Sequence, residues 1–340
     1  MSDYKWGILG PGNISNKFMM GLKLLPNAVP YAVGSRDFDK AKDFAQKYGL
    51  KKAYGSYDEL AADPDVDIIY ISTTHPQHME AAIKCLKGKK AVICEKPFAA
   101  NAAQAAKMIA CARENKVFLM EAMWTRFLPH IKKTTQLISE GAIGKVRHIS
   151  ADFGFRAGVD PNGRLFSPDT AGGSLLDVGV YNISFFYMIG TIFGGELESV
   201  SSCMTIGSTG VDESASALLV YKGGQSAFGF SAIRVNTPQE AVIYGEEGSI
   251  RLRPYWCGDT VFLTDKEGTK EIKLPFEGGG FQFEAMEVMD CLDKNLLESP
   301  GMPLDETLSV MKILDKIRYD NNLRYPFESD ADIEFFKEGK

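Results

Sequence analysis

The sequence predicts a two-domain chain: an α/β domain with a parallel sheet, followed by an α+β domain with a mostly antiparallel sheet. Up to residue 122, short apolar runs alternate with helical stretches of roughly 10–15 residues, which is typical of βαβ units. Between residues 146 and 274, strand-like runs follow one another with tight turns between several of them. A length of 340 residues suits two domains. We therefore expect domains at residues 1–122 and 123–340.

The elements of the first domain follow from apolar runs and capping residues. A glycine-rich turn ends the first run, Asp37 is a plausible N-cap, and Asn101 with Gln104 forms a variant of the capping box. Strands are predicted at 4–9, 29–34, 67–72, 91–94 and 117–120, and helices from the glycine-rich turn to about 25 and at 37–48, 75–86 and 101–115.

The second domain is predicted from strand-like runs and their turn signals. Lys222-Gly223-Gly224 and residues 265–268 separate neighbouring runs as hairpin turns do. Closing helices and a loosely held acidic tail at 328–340 complete the domain. Strands are predicted at 146–155, 197–206, 214–221, 225–234, 240–244, 249–252, 260–264 and 271–274, and helices at 278–297 and 305–321.

Composition and charge exclude several classes of protein. The chain is 45% hydrophobic and 24% charged, as soluble globular proteins are, and its net charge of −6 argues against nucleic-acid binding. Residues 1–122 carry 17 basic and 13 acidic groups. Since the chain has 38 basic and 44 acidic groups in total, 21 basic and 31 acidic groups remain for residues 123–340, which are therefore strongly acidic. A slightly basic first part suits a phosphate-bearing cofactor, and an acidic second part suits a neutral or cationic small-molecule substrate.

Cysteine usage and hydropathy indicate a cytoplasmic protein outside the membrane. The six cysteines form no Cys-x-x-Cys pair, most lie in apolar stretches as buried thiols do, and no signal peptide is recognisable at the start. Residues 178–195 are uncharged, but they contain four glycines and lack basic flanks. We expect a buried helix there.

A glycine-rich turn follows the first predicted strand and opens a helix. In Gly10-x-Gly12-x-x-Ser15, the first glycine makes the turn, the second lets the backbone approach a pyrophosphate, and the third small residue allows helix–strand packing. The placement predicts dinucleotide binding by a Rossmann-type domain, with Asn13 and Ile14 at the helix start; a plain turn is the alternative.

The end of the second strand bears on the choice of cofactor. Enzymes that use NAD usually place Asp or Glu there, whereas this chain has Ser35 and Arg36, which suit a 2′-phosphate. This favours NADP. The alternative, with NAD, is that Asp37 binds the ribose instead of only capping its helix.

Polar residues also follow the third main strand and the next one. Thr73, Thr74, His75 and His78 lie where doubly wound sheets bind ligands, so we expect cofactor contacts and helix capping. A metal site is disfavoured because no carboxylate motif accompanies the histidines. After the next strand, Glu95-Lys96-Pro97 turns the chain and places a lysine towards the cleft. The alternative is that Lys96 is an ordinary solvated lysine on the surface.

Asp177 and Tyr181 form the last motif. On a helix they are i and i+4 and share one face, beside a long uncharged run. An aspartate in that position seldom stays buried without a partner. The alternative is a capping aspartate with a tyrosine in the core.

Together these motifs resemble the Gfo/Idh/MocA oxidoreductase family. Gly10-x-Gly12, Glu95-Lys96-Pro97 and Asp177-x-Gly179-x-Tyr181 occur in that order and span essentially the whole chain. The resemblance implies a Rossmann domain joined to an α+β domain with a large open sheet. It implies hydride transfer between NADP and a secondary carbinol of a cyclic diol or aldose.

The resemblance also implies roles for individual residues. Tyr181 exchanges the hydroxyl proton, Lys96 lowers the pKa of that phenol and holds the substrate oxygen, and Asp177 is a third residue of the catalytic site. Trp124 and Arg126 lie near nicotinamide and substrate, Phe153 and Phe281 line the pocket, and Glu95 and Lys96 contact the cofactor. The alternatives are a non-catalytic NADP-binding sensor or regulator of the same fold and a reductase of another substrate class.

Two predicted strands suggest self-association. Runs 214–221 and 225–234 carry apolar residues on both alternating faces, so one face can cover the domain's own helices while the other needs a partner. We expect a homodimer through this sheet, as the family resemblance also implies.

Overall fold

A computed structural model describes residues 2–338 of the chain. It divides into two compact units: Met1–Trp124 with Glu277–Met311, and Thr125–Phe276 with Lys312–Lys340. The first unit thus includes a later segment, which the sequence had placed with the second domain.

The first unit is a doubly wound parallel sheet, as predicted. Its six strands pair in parallel in the order β3-β2-β1-β4-β5-β6. The residues of β4 and β5 are buried throughout, because helices cover both faces of a parallel sheet. The strands are β1 Tyr4–Leu9, β2 Ala28–Gly34, β3 Lys52–Tyr54, β4 Ile68–Ile71, β5 Ala91–Glu95 and β6 Leu119–Ala122; the helices are α1 Asn13–Leu22, α2 Phe38–Tyr48, α3 Tyr57–Ala62, α4 His78–Lys87, α5 Ala102–Asn115 and, from the later segment, α8 Gln282–Asp293.

Two short elements of this unit were missed from the sequence. Strand β3 has three half-buried residues and therefore no readable apolar run, and α3 spans six residues. The side chain of Ser56 accepts a hydrogen bond from the Glu59 amide and so caps α3.

Helix α8 packs directly on α1. A Cβ added at Gly21 would lie 2.7 Å from the backbone nitrogen of Gln282, so only glycine allows this approach. The amide of Leu119 in β6 donates to the carbonyl oxygen of Leu297, at 3.1 Å, beyond the end of α8. The later segment is therefore an integral part of the first unit.

The second unit carries a mostly antiparallel sheet of eight strands, as predicted. Their order is β14-β13-β12-β11-β7-β10-β9-β8, and the pair β7–β10 is parallel. The strands are β7 Val146–Gly154, β8 Leu197–Ile206, β9 Asp212–Tyr221, β10 Ser226–Ala232, β11 Ala241–Gly245, β12 Ser249–Leu252, β13 Thr260–Asp265 and β14 Gly268–Lys273; the helices are α6 Pro129–Ser139, α7 Val180–Gly194 and α10 Asp330–Glu338, and α9 Leu304–Asp320 begins in the first unit and ends in this one.

The uncharged stretch forms the expected buried helix. Val180, Phe186 and Ile189 of α7 are fully buried. Within the described residues no helix has both the length and the apolar character needed to cross a membrane.

The expectation of a loosely held tail is wrong for the described residues. The tail forms α10, and Glu328 just before it accepts hydrogen bonds from the fully buried guanidinium of Arg318, at 2.7 and 2.9 Å. Asp315 binds the same guanidinium at 2.7 Å. Removing either partner would leave a buried charge without compensation, so Glu328 anchors the start of the tail.

Candidate active site

The glycine-rich turn of the first unit has the shape that a pyrophosphate requires. Gly10 has a φ of +93°, and an added Cβ would lie 3.0 Å from the carbonyl oxygen of Ser72. Around Gly12 the nearest atom to an added Cβ is 4.0 Å away, so the backbone is open there. Ser15 donates to the Gly10 carbonyl, at 2.6 Å, and accepts from the Gly12 amide, at 3.3 Å. The serine therefore fixes the turn.

The neighbouring strand ends complete a cradle that fits a dinucleotide. Asn13 and Ile14 open α1 with amides free of intrahelical partners, as at any helix start. Beside Gly10, the hydroxyl oxygen of Thr73 is buried and makes no hydrogen bond to the described residues. Thr74 precedes the single helical turn that His75 begins. An open turn with a buried hydroxyl in need of a partner suits a polar ligand.

The end of β2 separates capping from ligand binding. The carboxylate of Asp37 accepts a hydrogen bond from the Lys40 amide, at 3.2 Å, and caps α2; this bond lowers the pKa of Asp37. The Ser35 hydroxyl accepts from the Asp37 amide, at 3.1 Å, while Arg36 is exposed. The guanidinium is thus accessible, and the aspartate is committed to its helix.

His78 links the loops that follow β4 and β5. Its Nδ1 lies 3.0 Å from the carbonyl oxygen of Pro97, and its Nε2 lies 3.1 Å from that of Thr73. The ring is fully buried, and burial lowers its pKa to about 4. Because Pro97 directly follows Lys96, His78 holds the turn that carries the lysine.

Buried carboxyl groups lie beneath the same turn. Glu95 accepts a hydrogen bond from the Tyr70 hydroxyl, and burial raises the pKa of Glu95. Glu284 of α8 is also fully buried, and neither of its carboxyl oxygens has a hydrogen-bond partner among the described residues. Burial and the charge of Glu95 raise the pKa of Glu284. Glu95 was predicted to contact the cofactor; the structure places it 4% exposed, next to the half-buried Lys96.

Two predicted pocket residues of the first unit meet each other. The rings of Trp124 and Phe281 stack with centroids 4.5 Å apart and planes 15° apart. Phe281 precedes α8, so the later segment of this unit supplies it.

In the second unit, buried Arg126 binds the start of α7. Its Nε donates to the Ser184 hydroxyl and its Nη2 to the Ser184 carbonyl oxygen, both at 3.1 Å. The guanidinium thereby fixes a turn of the helix that carries Tyr181.

A buried aspartate sets where this helix begins. Asp212 accepts hydrogen bonds from the Ser174 hydroxyl and the Leu175 amide, both at 2.7 Å; burial raises its pKa to about 6. Residues Leu175–Gly179 then form a π-helical turn before α7. The predicted α-helical i, i+4 pair is therefore corrected: Asp177 lies in the π-helical turn and Tyr181 in the first turn of α7. Such turns are common at functional sites.

Tyr181 lies in a cluster of aromatic rings. Its centroid is 5.4 Å from Phe153 of β7 and 6.1 Å from Trp256, and the rings of Phe153 and Trp256 stack at 4.8 Å. Beneath them, the Tyr255 hydroxyl donates to Asn182, at 2.6 Å. The cluster therefore combines apolar ring surface with the Tyr181 phenol.

Sequence reasoning missed two residues of this unit. Trp256 follows a predicted strand in a Pro-Tyr-Trp-Cys-Gly loop. The available signal was that tryptophan is rare, with 3 in the chain. Arg164 carried no signal, yet its Nη2 lies 3.0 Å from Oδ1 of Asp177. Across residues 2–338, no group of three or more His, Cys, Asp or Glu side chains could hold a metal ion.

The sequence matches two family models and, over nearly its whole length, curated proteins. Residues 4–123 match the model described as the oxidoreductase family with an NAD-binding Rossmann fold, and residues 131–251 match the GFO/IDH/MocA C-terminal domain. Among curated proteins, the trans-1,2-dihydrobenzene-1,2-diol dehydrogenase of Xenopus tropicalis is 41% identical over 333 residues, which are 95% of this chain and 99% of that protein.

Solved structures share the fold at lower identity. An aldose-aldose oxidoreductase from Caulobacter crescentus, complexed with glycerol, has a TM-score of 0.84 at 23% identity, over 99% of this chain and 98% of that one. A 3-ketoreductase from Actinomadura kijaniata, solved with NADP, has a TM-score of 0.83 at 23% identity, over 94% and 98%. The two family models and the 41% identical relative show that the chain belongs to the Gfo/Idh/MocA oxidoreductase family.

Proposed function

We propose that this chain is an NADP-dependent dehydrogenase that oxidises a secondary carbinol of a cyclic diol or aldose. The observation that carries this is the second-unit cluster: a phenol among stacked rings, one helical turn from a carboxylate. An apolar wall with few polar groups suits a small ring that carries hydroxyl groups. The 41% identical relative is named as a dehydrogenase of such a diol.

In the proposed reaction, the carbinol loses a hydride and a proton and becomes a carbonyl. When bound, the nicotinamide supplies the two-electron acceptor for the hydride. The Tyr181 oxygen takes the hydroxyl proton and later returns it to solvent, and the Lys96 ammonium stabilises negative charge on the substrate oxygen. Asp177 accepts a hydrogen bond from a second substrate hydroxyl.

The contacts at the end of β2 support NADP over NAD. Asp37 caps α2 and pairs with Lys40, at 3.2 Å, so it has a structural function. Arg36 is exposed and can meet a 2′-phosphate with charge-assisted hydrogen bonds. The 3-ketoreductase relative was solved with NADP.

A substrate screen tests the activity. Purified protein is mixed with NADP and with aldoses, inositols or trans-dihydrodiols, and NADPH absorbance is followed. Reduction of NADP with at least one diol or aldose is the expected result. If every diol and aldose leaves NADP unreduced, while the chain binds NADPH, the proposed activity is wrong.

We further propose that the protein is a homodimer through the outer face of its eight-stranded sheet. Leu218 and Phe228 are paired across β9 and β10 and are 39% and 45% exposed. Their neighbours on the flanking strands, Ser201 and Ser150, are uncharged. An apolar face with uncharged neighbours suits contact with a second copy of itself.

Sedimentation at micromolar concentration tests the dimer. The wild type is expected to sediment as a dimer, and the L218E/F228E variant as a folded monomer, because two charges would be buried without partners. L297E, which alters a 48% exposed leucine of the first unit, is the control and should remain dimeric. A monomeric wild type would contradict the proposal.

The cysteines support a place in the reducing cytoplasm, which we also propose. All six thiols are free, and Cys85, Cys94, Cys111 and Cys291 are buried. Free buried thiols are usual where disulfides do not form. Microscopy of a fluorescent fusion in the source cell is the measurement that checks this.

A further inference from the structure

A well-anchored loop carries Arg164 between β7 and the π-helical turn. Phe166 is buried with Val211 and Ile233, so the loop is tied to the core two residues beyond the arginine. The Thr170 hydroxyl donates to the carbonyl oxygen of Arg164, at 2.8 Å. These contacts fix the loop backbone from which the Arg164 side chain extends.

Two glycines let this loop fold back closely on itself. A Cβ added at Gly172 would lie 2.6 Å from the carbonyl oxygen of Leu165 and 2.8 Å from that of Arg164. The Gly173 amide donates to the Leu165 carbonyl oxygen, at 2.9 Å. The loop backbone on both sides of the arginine is thus held before any ligand arrives.

From this position the guanidinium reaches Asp177. Its Nη2 donates to Oδ1 at 3.0 Å, and the side chains are 45% and 13% exposed. The carboxylate is therefore mostly shielded from water, whereas the guanidinium remains hydrated on its outer side. A hydrogen bond between charged groups is stronger when one partner is desolvated, and it orients the carboxylate plane.

An oriented carboxylate discriminates between substrates. A site built to accept a hydrogen bond from a hydroxyl group rejects an analogue that lacks this group, because the acceptor then stays buried without its partner. An arginine that holds the carboxylate in one orientation sharpens this discrimination, since it removes the rotamers in which Asp177 could return to water.

We propose that Arg164 is a positioning residue that fixes the Asp177 carboxylate as the acceptor for a second substrate hydroxyl, so that the pair selects vicinal diols over mono-alcohols. This inference rests on the proposed function, because it assigns Asp177 to the substrate. Arg164 itself need not touch the substrate.

The test compares two ligands of the same ring size. The binding of trans-cyclohexane-1,2-diol and of cyclohexanol to the complex with NADP is measured by calorimetry, and their oxidation by NADPH absorbance. R164M and R164K are compared with wild type. The matched control is R147M, which removes the half-exposed Arg147–Glu246 pair from the same unit. Thermal unfolding shows whether each variant is folded.

The diol preference of the wild type should fall roughly five- to twentyfold in R164M, as expected for a partly exposed charged pair. Cyclohexanol binding should not change, R164K should recover part of the preference, and R147M should keep all of it. In a D177N background, R164M should have no further effect on the preference.

Each alternative outcome identifies which proposal fails. If R164M weakens both ligands equally, or D177N and R164M act independently, Arg164 is only structural and the inference is overturned. If the wild type shows no diol preference in binding, the inference is also overturned. If it binds the diol selectively and R164M abolishes this, but no diol or aldose is oxidised, the inference stands and the proposed activity fails.

Discussion

The two units hold their candidate functional residues in different ways. In the first unit, strand-end turns hold Gly10, Ser35, Thr73 and Lys96 through backbone geometry, caps and the His78 ring. In the second, a helix supplies Tyr181, and the rings around it come from a strand and a distant loop. A site built from local turns can be recognised from short sequence motifs. A site built by the packing of distant residues cannot.

The largest expected effect is on the proposed proton transfer, for which the second unit supplies Tyr181. Tyr181→Phe keeps the ring but removes the proposed proton acceptor, so kcat should fall roughly 10²–10⁴-fold while NADP binding survives. Lys96→Met should be at least as damaging. Steady-state kinetics with fluorescence titration of NADPH measures both quantities. Full kcat in Tyr181→Phe, on the substrate found by screening, would exclude Tyr181 as the acid/base.

Next in size is cofactor choice in the first unit. Arg36→Ala should weaken NADP binding by about 1.5–3 kcal/mol, the value of a charge-assisted hydrogen bond, and leave NAD binding nearly unchanged. Asp37→Ala is the control: it removes a helix cap and should lower the free energy of unfolding by about 1 kcal/mol. Equal weakening of both cofactors by Arg36→Ala would make Asp37 the better candidate for ribose binding.

A smaller effect is expected for Trp256, the ring that sequence reasoning missed. Trp256→Ala should raise KM roughly tenfold, because the substrate loses an apolar wall, with a smaller change in kcat. Trp256→Phe keeps a ring but loses the hydrogen bond to Gln239, at 2.9 Å, and should be nearly neutral. Unchanged KM in the alanine variant would place the substrate away from this cluster.

The smallest effect concerns His78, which links the loops after β4 and β5 in the first unit. The pKa of His78 is about 4 in the folded chain and about 6.5 when unfolded, so the unfolded chain binds the extra proton between these values. The contribution of the neutral His78 ring to the free energy of unfolding is fully present above pH 6.5 and is lost as the pH falls towards 4. Between pH 7.5 and 5.5 it amounts to about 1 kcal/mol.

Urea unfolding of wild type and His78→Gln at both pH values measures this contribution. The wild type should lose about 1 kcal/mol more than the variant over the interval. An equal loss in both proteins would mean that His78 is protonated in the folded chain, and hence that it is more hydrated than its full burial implies.

Particular residues show what the sequence could predict. The turn at Gly10 needs a positive φ and an open neighbour at Gly12, and these requirements restrict residue types enough to be recognised. The parallel sheet could be predicted because alternating strands and helices are typical of βαβ units. Asp177 and Tyr181 were found because the motif lies within one helical segment.

Other residues were out of reach because long-range packing places them. Trp256 joins Phe153 across about a hundred residues of chain, and no local pattern fixes that contact. Arg164 contacts Asp177 from a loop that Phe166 anchors in the core. The π-helical turn depends on Asp212, which belongs to β9. Such contacts follow from tertiary structure and leave no local periodicity.

The contact between Gly21 and Gln282 has a consequence for how the chain is made. The ribosome completes α1 long before it reaches α8, and at a synthesis rate of roughly 5–20 residues per second the interval lasts on the order of ten seconds or more. Throughout that time the surface of α1 that Gly21 opens has no neighbour to cover it. The nascent first unit must therefore wait, incompletely closed, while the whole eight-stranded sheet is synthesised, and a fragment ending at Trp124 would never acquire its last helix.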